Sequence, residues 1–106
     1  MKGDEGDDQI SGGQGGDVMR GGAGNDTLTG DGDDDQLYGG DGDDVLAAGE
    51  GNDRVFGEAG NDVLLGDNGD DLLDGGSGQN DLSGGDGHNQ CIDNNVAITC
   101  PAGEVD

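Results

Sequence analysis

A nine-residue unit repeats ten times without interruption from Gly3 to Ile92. Its clearest copy is GGDGDDVLA at residues 39–47. Position one is Gly in nine of the ten copies, position four is Gly in nine, and position six is Asp in eight and Asn in two. Position eight is apolar in all ten copies. A fixed period over most of a chain indicates repeated supersecondary units that stack on one another, not a single compact core.

Each copy is predicted to form a turn over its first six residues and a short strand over its last three. The glycines supply the positive-φ conformations that a tight turn requires. Because side chains alternate along a strand, the apolar residue at position eight faces inward and its two neighbours face outward. The ten inward residues are Ile10, Met19, Leu28, Leu37, Leu46, Val55, Leu64, Leu73, Leu82 and Cys91.

Two copies are predicted to make one coil, because parallel strands cannot pair directly across a short turn. Consecutive strands therefore join two opposed sheets, and copies eighteen residues apart stack on each other. Ten copies predict an all-β, parallel β-solenoid of about five coils, with two sheets of short strands. The side chains at position six then form two columns, with Asp8, Asp26, Asp44, Asp62 and Asn80 on one flank and Asp17, Asp35, Asp53, Asp71 and Asn89 on the other.

The composition argues against folding without help. The chain has 26 acidic and 3 basic residues among 106, a formal charge of −23, and only 27% hydrophobic residues. Such a balance is typical of disordered, self-repelling chains. It also excludes nucleic acid as a partner, since a chain this acidic is repelled by phosphate. No apolar run is long enough to span a membrane, and the period of nine excludes a collagen triple helix.

The two columns of carboxylates point to a bound cation. Carboxylates one strand spacing apart repel each other strongly unless cations lie between them. Carboxylate and carbonyl oxygens suit Ca²⁺, which takes six to eight oxygen ligands, better than Mg²⁺, which requires a smaller and stricter octahedron. Zn²⁺ and copper prefer His and Cys clusters, and the chain has one His and two Cys.

The unit G-G-x-G-x-D-x-U-x, in which U is a large apolar residue, resembles the RTX (repeats-in-toxin) calcium-binding nonapeptide. The resemblance covers residues 3–92 and implies a right-handed parallel β-roll. It also implies that each ion lies between the turns of neighbouring coils, held by two position-six side chains and by backbone carbonyls. Six pairs would supply two Asp and two pairs only one, so about six to eight Ca²⁺ ions are expected. The full pairs are Asp8/Asp26, Asp26/Asp44, Asp44/Asp62, Asp17/Asp35, Asp35/Asp53 and Asp53/Asp71, and the weaker ones are Asp62/Asn80 and Asp71/Asn89.

The repeat array is flanked by two short segments. Residues 1–2 are interpreted as an N-terminal leader and residues 93–106 as a capping segment, with a candidate strand at Val96–Thr99. Cys91 and Cys100 both stand at a nominal position eight. For an extracellular protein, a disulfide between them is favoured over two buried thiols.

Several residues in the turns and strands remain open to two interpretations. The acids at position five are expected to stay in solvent, and His88 is expected to be exposed and not a ligand. Asp33 replaces a positive-φ Gly and is either a strained turn residue or an extra ligand. Tyr38, Phe56 and Leu65 are expected on an outward surface. The position-five acids are Asp7, Asp34, Asp43 and Asp70.

The leading functional hypothesis is a calcium-binding structural module of a secreted or cell-surface protein that folds when Ca²⁺ binds. Other domains of a larger secreted protein are its candidate partners. One alternative is an ice-binding or adhesive solenoid, which would need regular outward Thr rows, whereas only Thr27 and Thr29 occur together. Another is a non-catalytic accessory domain of a secreted enzyme. No HExxH, GxSxG or other catalytic motif occurs, so no catalytic residue is predicted and the chain is not expected to be an enzyme.

Overall fold

A computed structural model describes residues 2–93 and the backbone of residues 96–98. The described residues form strands and turns and contain no helix, so none of them belongs to a helix that could cross a membrane. Most strands have three residues, as the repeat unit predicts. The strands are β1 (Gln9–Ser11), β2 (Val18–Ala23), β3 (Thr27–Thr29), β4 (Gln36–Asp41), β5 (Val45–Ala47), β6 (Arg54–Ala59), β7 (Val63–Leu65), β8 (Leu72–Asp74), β9 (Asp81–Ser83), β10 (Gln90–Asp93) and β11 (Val96–Ile98).

The strands alternate between two sheets. One has the order β1-β3-β5-β7-β9, and the other has the order β11-β10-β8-β6-β4-β2. Strands of alternate repeats, 18 residues apart, pair in parallel, so that Leu28 lies opposite Leu46 and Leu37 lies opposite Val55. This arrangement confirms the predicted all-β solenoid of about five coils.

The core is a single row of side chains between the two sheets. Nine of the ten position-eight residues are buried, and seven of them are completely inaccessible to solvent. Ile10 in the first coil is only partly buried and packs against the end of the row. The inward row predicted from side-chain alternation is therefore confirmed, and it contributes only one large apolar side chain per strand.

Four strands are longer than the predicted three residues, β10 by one residue and β2, β4 and β6 by three. β2, β4 and β6 have six residues each because their pairing continues into the following turn. Gly22 lies opposite Gly40, which in turn lies opposite Glu58. Gly21 and Gly39 begin two of these turns, and a Cβ on either would lie 2.7–2.9 Å from a carbonyl oxygen of the next coil. The absence of a side chain there lets neighbouring coils approach closely enough to keep the ladder of backbone hydrogen bonds.

The glycine at position four of these turns is required by its backbone and by its neighbours. Gly24, Gly42 and Gly60 have φ angles of 108°, 111° and 115°. A Cβ on Gly42 would overlap the Gly24 carbonyl group of the preceding coil, lying 2.7 Å from its carbon. A Cβ on Gly60 would overlap the Gly42 carbonyl in the same way. The close stacking of turns therefore depends on residues without a side chain.

We expect Gly42→Ala to destabilise the roll strongly. The positive φ alone costs an L-residue about 1–2 kcal/mol, and the overlap with Gly24 adds to that cost. Gly32→Ala is the matched control, because a Cβ at Gly32 meets nothing within 4 Å. Thermal unfolding in saturating calcium compares the two variants. Equal melting temperatures would contradict the close contact between turns.

Four acidic residues adopt the left-handed conformation that glycine usually takes. Their φ angles are 78° for Asp31, 70° for Asp33, 73° for Glu58 and 67° for Asp67. The Asp33 backbone agrees with its interpretation as a strained turn residue. Its Oδ2 accepts the backbone N–H of Gly15 at 2.7 Å, so the side chain links two coils.

The outward side chains divide between two faces. On the six-stranded sheet, the Arg20 guanidinium lies 4.8 Å from the centroid of the Tyr38 ring. The Tyr38 ring stacks on Phe56 with their centroids 5.0 Å apart. Leu65 belongs to β7 in the other sheet. The expected single surface around Tyr38, Phe56 and Leu65 is therefore wrong, because consecutive repeats alternate between the sheets.

The chain after the last repeat adds an edge strand. β11 pairs with β10 in an antiparallel manner, with Ile92 opposite Ala97 and Asp93 opposite Val96. The expected non-repeat strand is therefore present over Val96–Ile98, whereas Thr99 and Cys100 lie outside the described residues. The wider division into a leader, a repeat array and a capping segment stays a prediction.

Candidate metal centre

The ten predicted ligands lie in two columns, one on each flank of the roll. Within each column the backbone N–H of one residue donates to Oδ1 of the position-six residue in the next coil. Asp26 N–H, for example, donates to Asp44 Oδ1 at 2.7 Å. Eight such bonds of 2.7–2.8 Å join residues 18 apart, four in each column. One side-chain oxygen of every position-six residue after the first coil thus links two coils, whereas Asp8 and Asp17 accept no such bond.

The second carboxylate oxygen has no partner in seven of these residues. Each Oδ2 is buried and accepts no hydrogen bond. Six of the seven side chains are at most 3% exposed, and Asp17, nearer the N-terminal end, is partly exposed. A buried charged oxygen without a partner is strongly unfavourable unless an opposite charge accompanies it. The seven residues are Asp17, Asp26, Asp35, Asp44, Asp53, Asp62 and Asp71.

In six of the seven turns the unpartnered oxygen faces space that a side chain at position one would fill, and the exception is the turn of Asp53, where position one is Ala48. A Cβ built on Gly21 would lie 2.5 Å from Asp26 Oδ2 and 2.7 Å from the carbonyl oxygen of Gly39 in the next coil. At Gly66 the corresponding distances are 2.6 Å to Asp71 Oδ2 and 2.7 Å to the Gly84 carbonyl oxygen. The missing side chains leave room beside a carboxylate oxygen and a carbonyl oxygen of neighbouring coils. These hard oxygen donors fit Ca²⁺.

Burial perturbs the carboxylates of the central coils. It raises the pKa of Asp53 and Asp62 to about 7 and that of Asp44 and Asp71 to about 6. The pKa of Asp35 is also raised by burial. Neighbouring carboxylates raise these pKa values further, and hydrogen bonds from backbone N–H groups oppose the change. In the metal-free fold, ionisation of all the carboxylates in the two columns is therefore unfavourable.

A cation here would depend on backbone oxygens as well as on side chains. Within the described part of the chain, no group of three or more His, Cys, Asp or Glu side chains is placed to hold a metal ion. Each gap between coils offers two position-six side chains, and the remaining ligands must be turn carbonyls. This donor set agrees with the one that the sequence resemblance implies.

The first coil differs from the others. Asp8 Oδ2 accepts the backbone N–H of Asp4 at 3.0 Å, and Asp8 is partly exposed. The gap between Asp8 and Asp26 was expected to be a full site with two carboxylates. In the structure one of those carboxylates has its second oxygen already satisfied by its own turn.

A second ladder runs along position five. The backbone N–H of Asn61 donates to Asp43 Oδ1 at 2.8 Å, and Asp43 N–H donates to Asn25 Oδ1 at 2.8 Å. These bonds point to the preceding coil, whereas those at position six point to the next one. The position-five acids are exposed as expected, but they also join coils. The sequence does contain a signal for this second ladder: within each column, Asp and Asn alternate at position five, which keeps like charges two coils apart.

The model of the family described as the RTX calcium-binding nonapeptide repeat matches four overlapping stretches, residues 2–37, 29–64, 38–73 and 56–91. The chain belongs to the RTX calcium-binding repeat family. Comparison with curated proteins and with solved structures gives no match. The RTX assignment covers the whole array of position-six residues, and it confirms that this is a Ca²⁺-binding repeat module.

The RTX repeats bind calcium as structural units, and the geometry of this chain agrees with that role. The ladder of buried Asp residues carries the kind of oxygen donor that calcium prefers. His88 is exposed on the surface of an RTX turn. Its backbone N–H donates to Asp70 Oδ1 at 2.8 Å as part of the position-five ladder.

Proposed function

We propose that this chain is a structural module of a secreted or cell-surface protein and that it folds when calcium binds. The main support is the set of seven buried Asp oxygens without a hydrogen-bond donor. Those oxygens make the metal-free fold unfavourable, and a divalent cation beside each would offset the cost. The thin core adds to this dependence, because one apolar side chain per strand buries little surface in a chain of charge −23.

The proposed ions lie between successive position-six residues on each flank. In the gap between Asp44 and Asp62, the chain offers Asp44 Oδ2, the Gly57 carbonyl and Asp62 Oδ1. A Cβ on Gly39 would lie 2.5 Å from that Oδ2 and 2.9 Å from the Gly57 oxygen. The same arrangement of position-six pairs and turn carbonyls would hold about six to eight ions, the number expected from the sequence.

An extracellular setting suits a module of this kind. Extracellular calcium-binding modules have dissociation constants of about 10⁻⁴–10⁻³ M, so the chain would stay unfolded in low calcium and fold outside the cell. A disulfide between Cys91 and Cys100 would secure the last coil. Cys91 is buried in the core, whereas Cys100 lies outside the described residues, so this pairing stays a prediction.

The module is proposed to have no catalytic role of its own. As an accessory domain of a secreted enzyme, it would keep the same calcium-dependent behaviour. An ice-binding face receives no support from the described strands. Thr27 and Thr29 in β3 are flanked by Gln9 and Ser11 in β1 and by Val45 and Ala47 in β5, so no row of Thr forms.

We expect the purified, reduced chain to be unfolded in excess chelator and to fold cooperatively during a calcium titration. At a free calcium concentration of ten times the dissociation constant, each site would stabilise the fold by about 1.4 kcal/mol. Several such sites reach the order of a whole domain's stability. Far-UV circular dichroism monitors the transition, and calorimetry counts the ions.

Magnesium at the same concentrations is the control, and it should produce a weaker response because it fits these oxygen ligands less well. A compact, protease-resistant chain in excess chelator with reduced cysteines would overturn the proposal. A disordered spectrum that persists at millimolar calcium would overturn it equally.

A further inference from the structure

Asn80 and Asn89 are the last residues of the two position-six columns. Their amide oxygens behave like the Asp Oδ1 atoms above them. Asn80 Oδ1 accepts the backbone N–H of Asp62 at 2.8 Å, and Asn89 Oδ1 accepts that of Asp71 at 2.8 Å. The other side-chain atom differs in kind, because Asp carries a second acceptor there and Asn carries an NH₂ donor.

The amide nitrogens occupy the place that Oδ2 occupies in the other turns. A Cβ on Gly75 would lie 2.7 Å from Asn80 Nδ2, and a Cβ on Gly84 would lie 2.7 Å from Asn89 Nδ2. In the preceding coil on the second flank, a Cβ on Gly66 would lie 2.6 Å from Asp71 Oδ2. The asparagines therefore place a hydrogen-bond donor where the aspartates place an unpartnered charge.

Both donors reach carbonyl oxygens of their own turn. Asn80 Nδ2 donates to the carbonyls of Gly76 and Ser77 at 3.3 and 3.4 Å. Asn89 Nδ2 donates to the carbonyls of Gly85 and Asp86 at the same two distances. In both turns these are the carbonyls of positions two and three. The amide N–H groups thus satisfy backbone oxygens next to the site that an ion would otherwise occupy.

Asp93 reinforces this arrangement on one flank. It stands at position one of the segment after the last repeat, where the repeat would have Gly. Its Oδ1 accepts a hydrogen bond from Asn80 Nδ2 at 2.8 Å. An aspartate at position 80 would instead direct a second carboxylate at Asp93 and at the carbonyls of Gly76 and Ser77. That set of oxygens would require a cation.

We propose that Asn80 and Asn89 terminate the two calcium columns. The amide oxygen of each serves the site shared with the preceding coil, while its NH₂ group replaces the next ion and closes the turn without calcium. This inference rests on the proposed function, because it assumes that the preceding turns hold Ca²⁺. The inference also treats the two gaps that carry a single Asp as ion sites like the others, and not as the weaker sites expected from the sequence. Asp62 Oδ2 and Asp71 Oδ2 are as buried and unpartnered as the others, so these gaps bind ions too.

The test is to extend each column by one carboxylate. We expect Asn80→Asp to bind one more Ca²⁺ per chain than the original protein, and to need a higher free calcium concentration to fold because the hydrogen bonds donated by Asn80 Nδ2 disappear. Asn89→Asp should likewise gain one ion on the other flank. Ions are counted by calorimetry and by elemental analysis after gel filtration, and the calcium concentration at the midpoint of folding is measured by circular dichroism.

Asn61→Asp is the matched control. Asn61 is an exposed amide whose Oδ1 also accepts a backbone N–H of the next coil, that of Gln79 at 2.8 Å. The substitution adds the same charge but no ligand to a column, so the ion count should not change. An unchanged count in both Asn80→Asp and Asn89→Asp would refute the inference, as would failure of either variant to fold in saturating calcium. Absence of calcium binding by the original chain would instead refute the proposed function.

Discussion

A chain in which the seven unpartnered aspartates are replaced by Asn is expected to stay folded in excess chelator. Six of the seven new amides can keep the Oδ1 bond to the neighbouring coil, and all can direct the NH₂ group at turn carbonyls, as Asn80 and Asn89 do. Seven buried charges are exchanged for neutral donors, which removes the desolvation cost that calcium otherwise offsets. The residues to replace are Asp17, Asp26, Asp35, Asp44, Asp53, Asp62 and Asp71.

The expected result is a reversal of the response to calcium. The original chain should unfold completely in chelator, whereas the sevenfold Asn variant should show the β spectrum in chelator and change little when calcium is added. Circular dichroism and limited proteolysis distinguish the two states. Calorimetry should find that most of the bound calcium is lost, because Asn supplies no charged oxygen to the columns.

A second sevenfold variant controls for the change in net charge. It replaces seven exposed aspartates by Asn, so it gains the same charge but keeps both columns intact. We expect it to need calcium as the original chain does. If both variants fold in chelator, general self-repulsion and not the buried columns controls folding. The exposed set is Asp7, Asp34, Asp41, Asp43, Asp70, Asp81 and Asp86.

The metal-free chain is expected to gain structure as the pH falls. Burial raises the pKa of Asp53 and Asp62 from 3.8 to about 7 in the folded state. The folded state therefore binds more protons than the unfolded state between about pH 4 and pH 7, and its stability decreases as the pH rises through this range. In calcium-free buffer, the β spectrum should be absent at pH 8 and should increase toward pH 5.

Calcium and protons are expected to compete for the same oxygens. Binding of Ca²⁺ requires ionised carboxylates, so the calcium affinity should fall between pH 8 and pH 6, and calorimetry in buffers of different ionisation enthalpy should detect proton release. The sevenfold Asn variant of the columns is the control, because it lacks the groups with raised pKa values. A calcium affinity that does not change between pH 8 and pH 6 would contradict the burial of these carboxylates in the metal-free fold.

The spacing of the repeat was enough to predict the sheets, the inward row and the membership of both columns. Strand alternation requires Leu28 and Leu46 to face the same interior, and the eighteen-residue shift requires Asp26 and Asp44 to stack. These properties depend only on period and residue type. The choice of calcium over other metals also followed, because Asp side chains and turn carbonyls are hard oxygen donors.

The different tasks of the two oxygens of each carboxylate could not be predicted in this way. Asp44 Oδ1 holds the preceding coil and Asp44 Oδ2 is left without a donor, and only the stagger between coils decides which oxygen meets which backbone group. At Asn80 the sequence indicated a weakened ligand, whereas the structure shows an amide that donates to turn carbonyls. The extension of β4 into its turn and the bonds accepted by Asp43 arise from the same close stacking.

The nonapeptide by itself therefore determined the architecture and the chemical nature of the sites, since a strict period leaves one way to bury its only apolar position. The direction of each hydrogen-bond ladder and the way each column ends were decided by tertiary structure. The physical reason is that those bonds join residues 18 apart. Their partners exist only after the coils have stacked at the close distance that the glycine-rich turns allow.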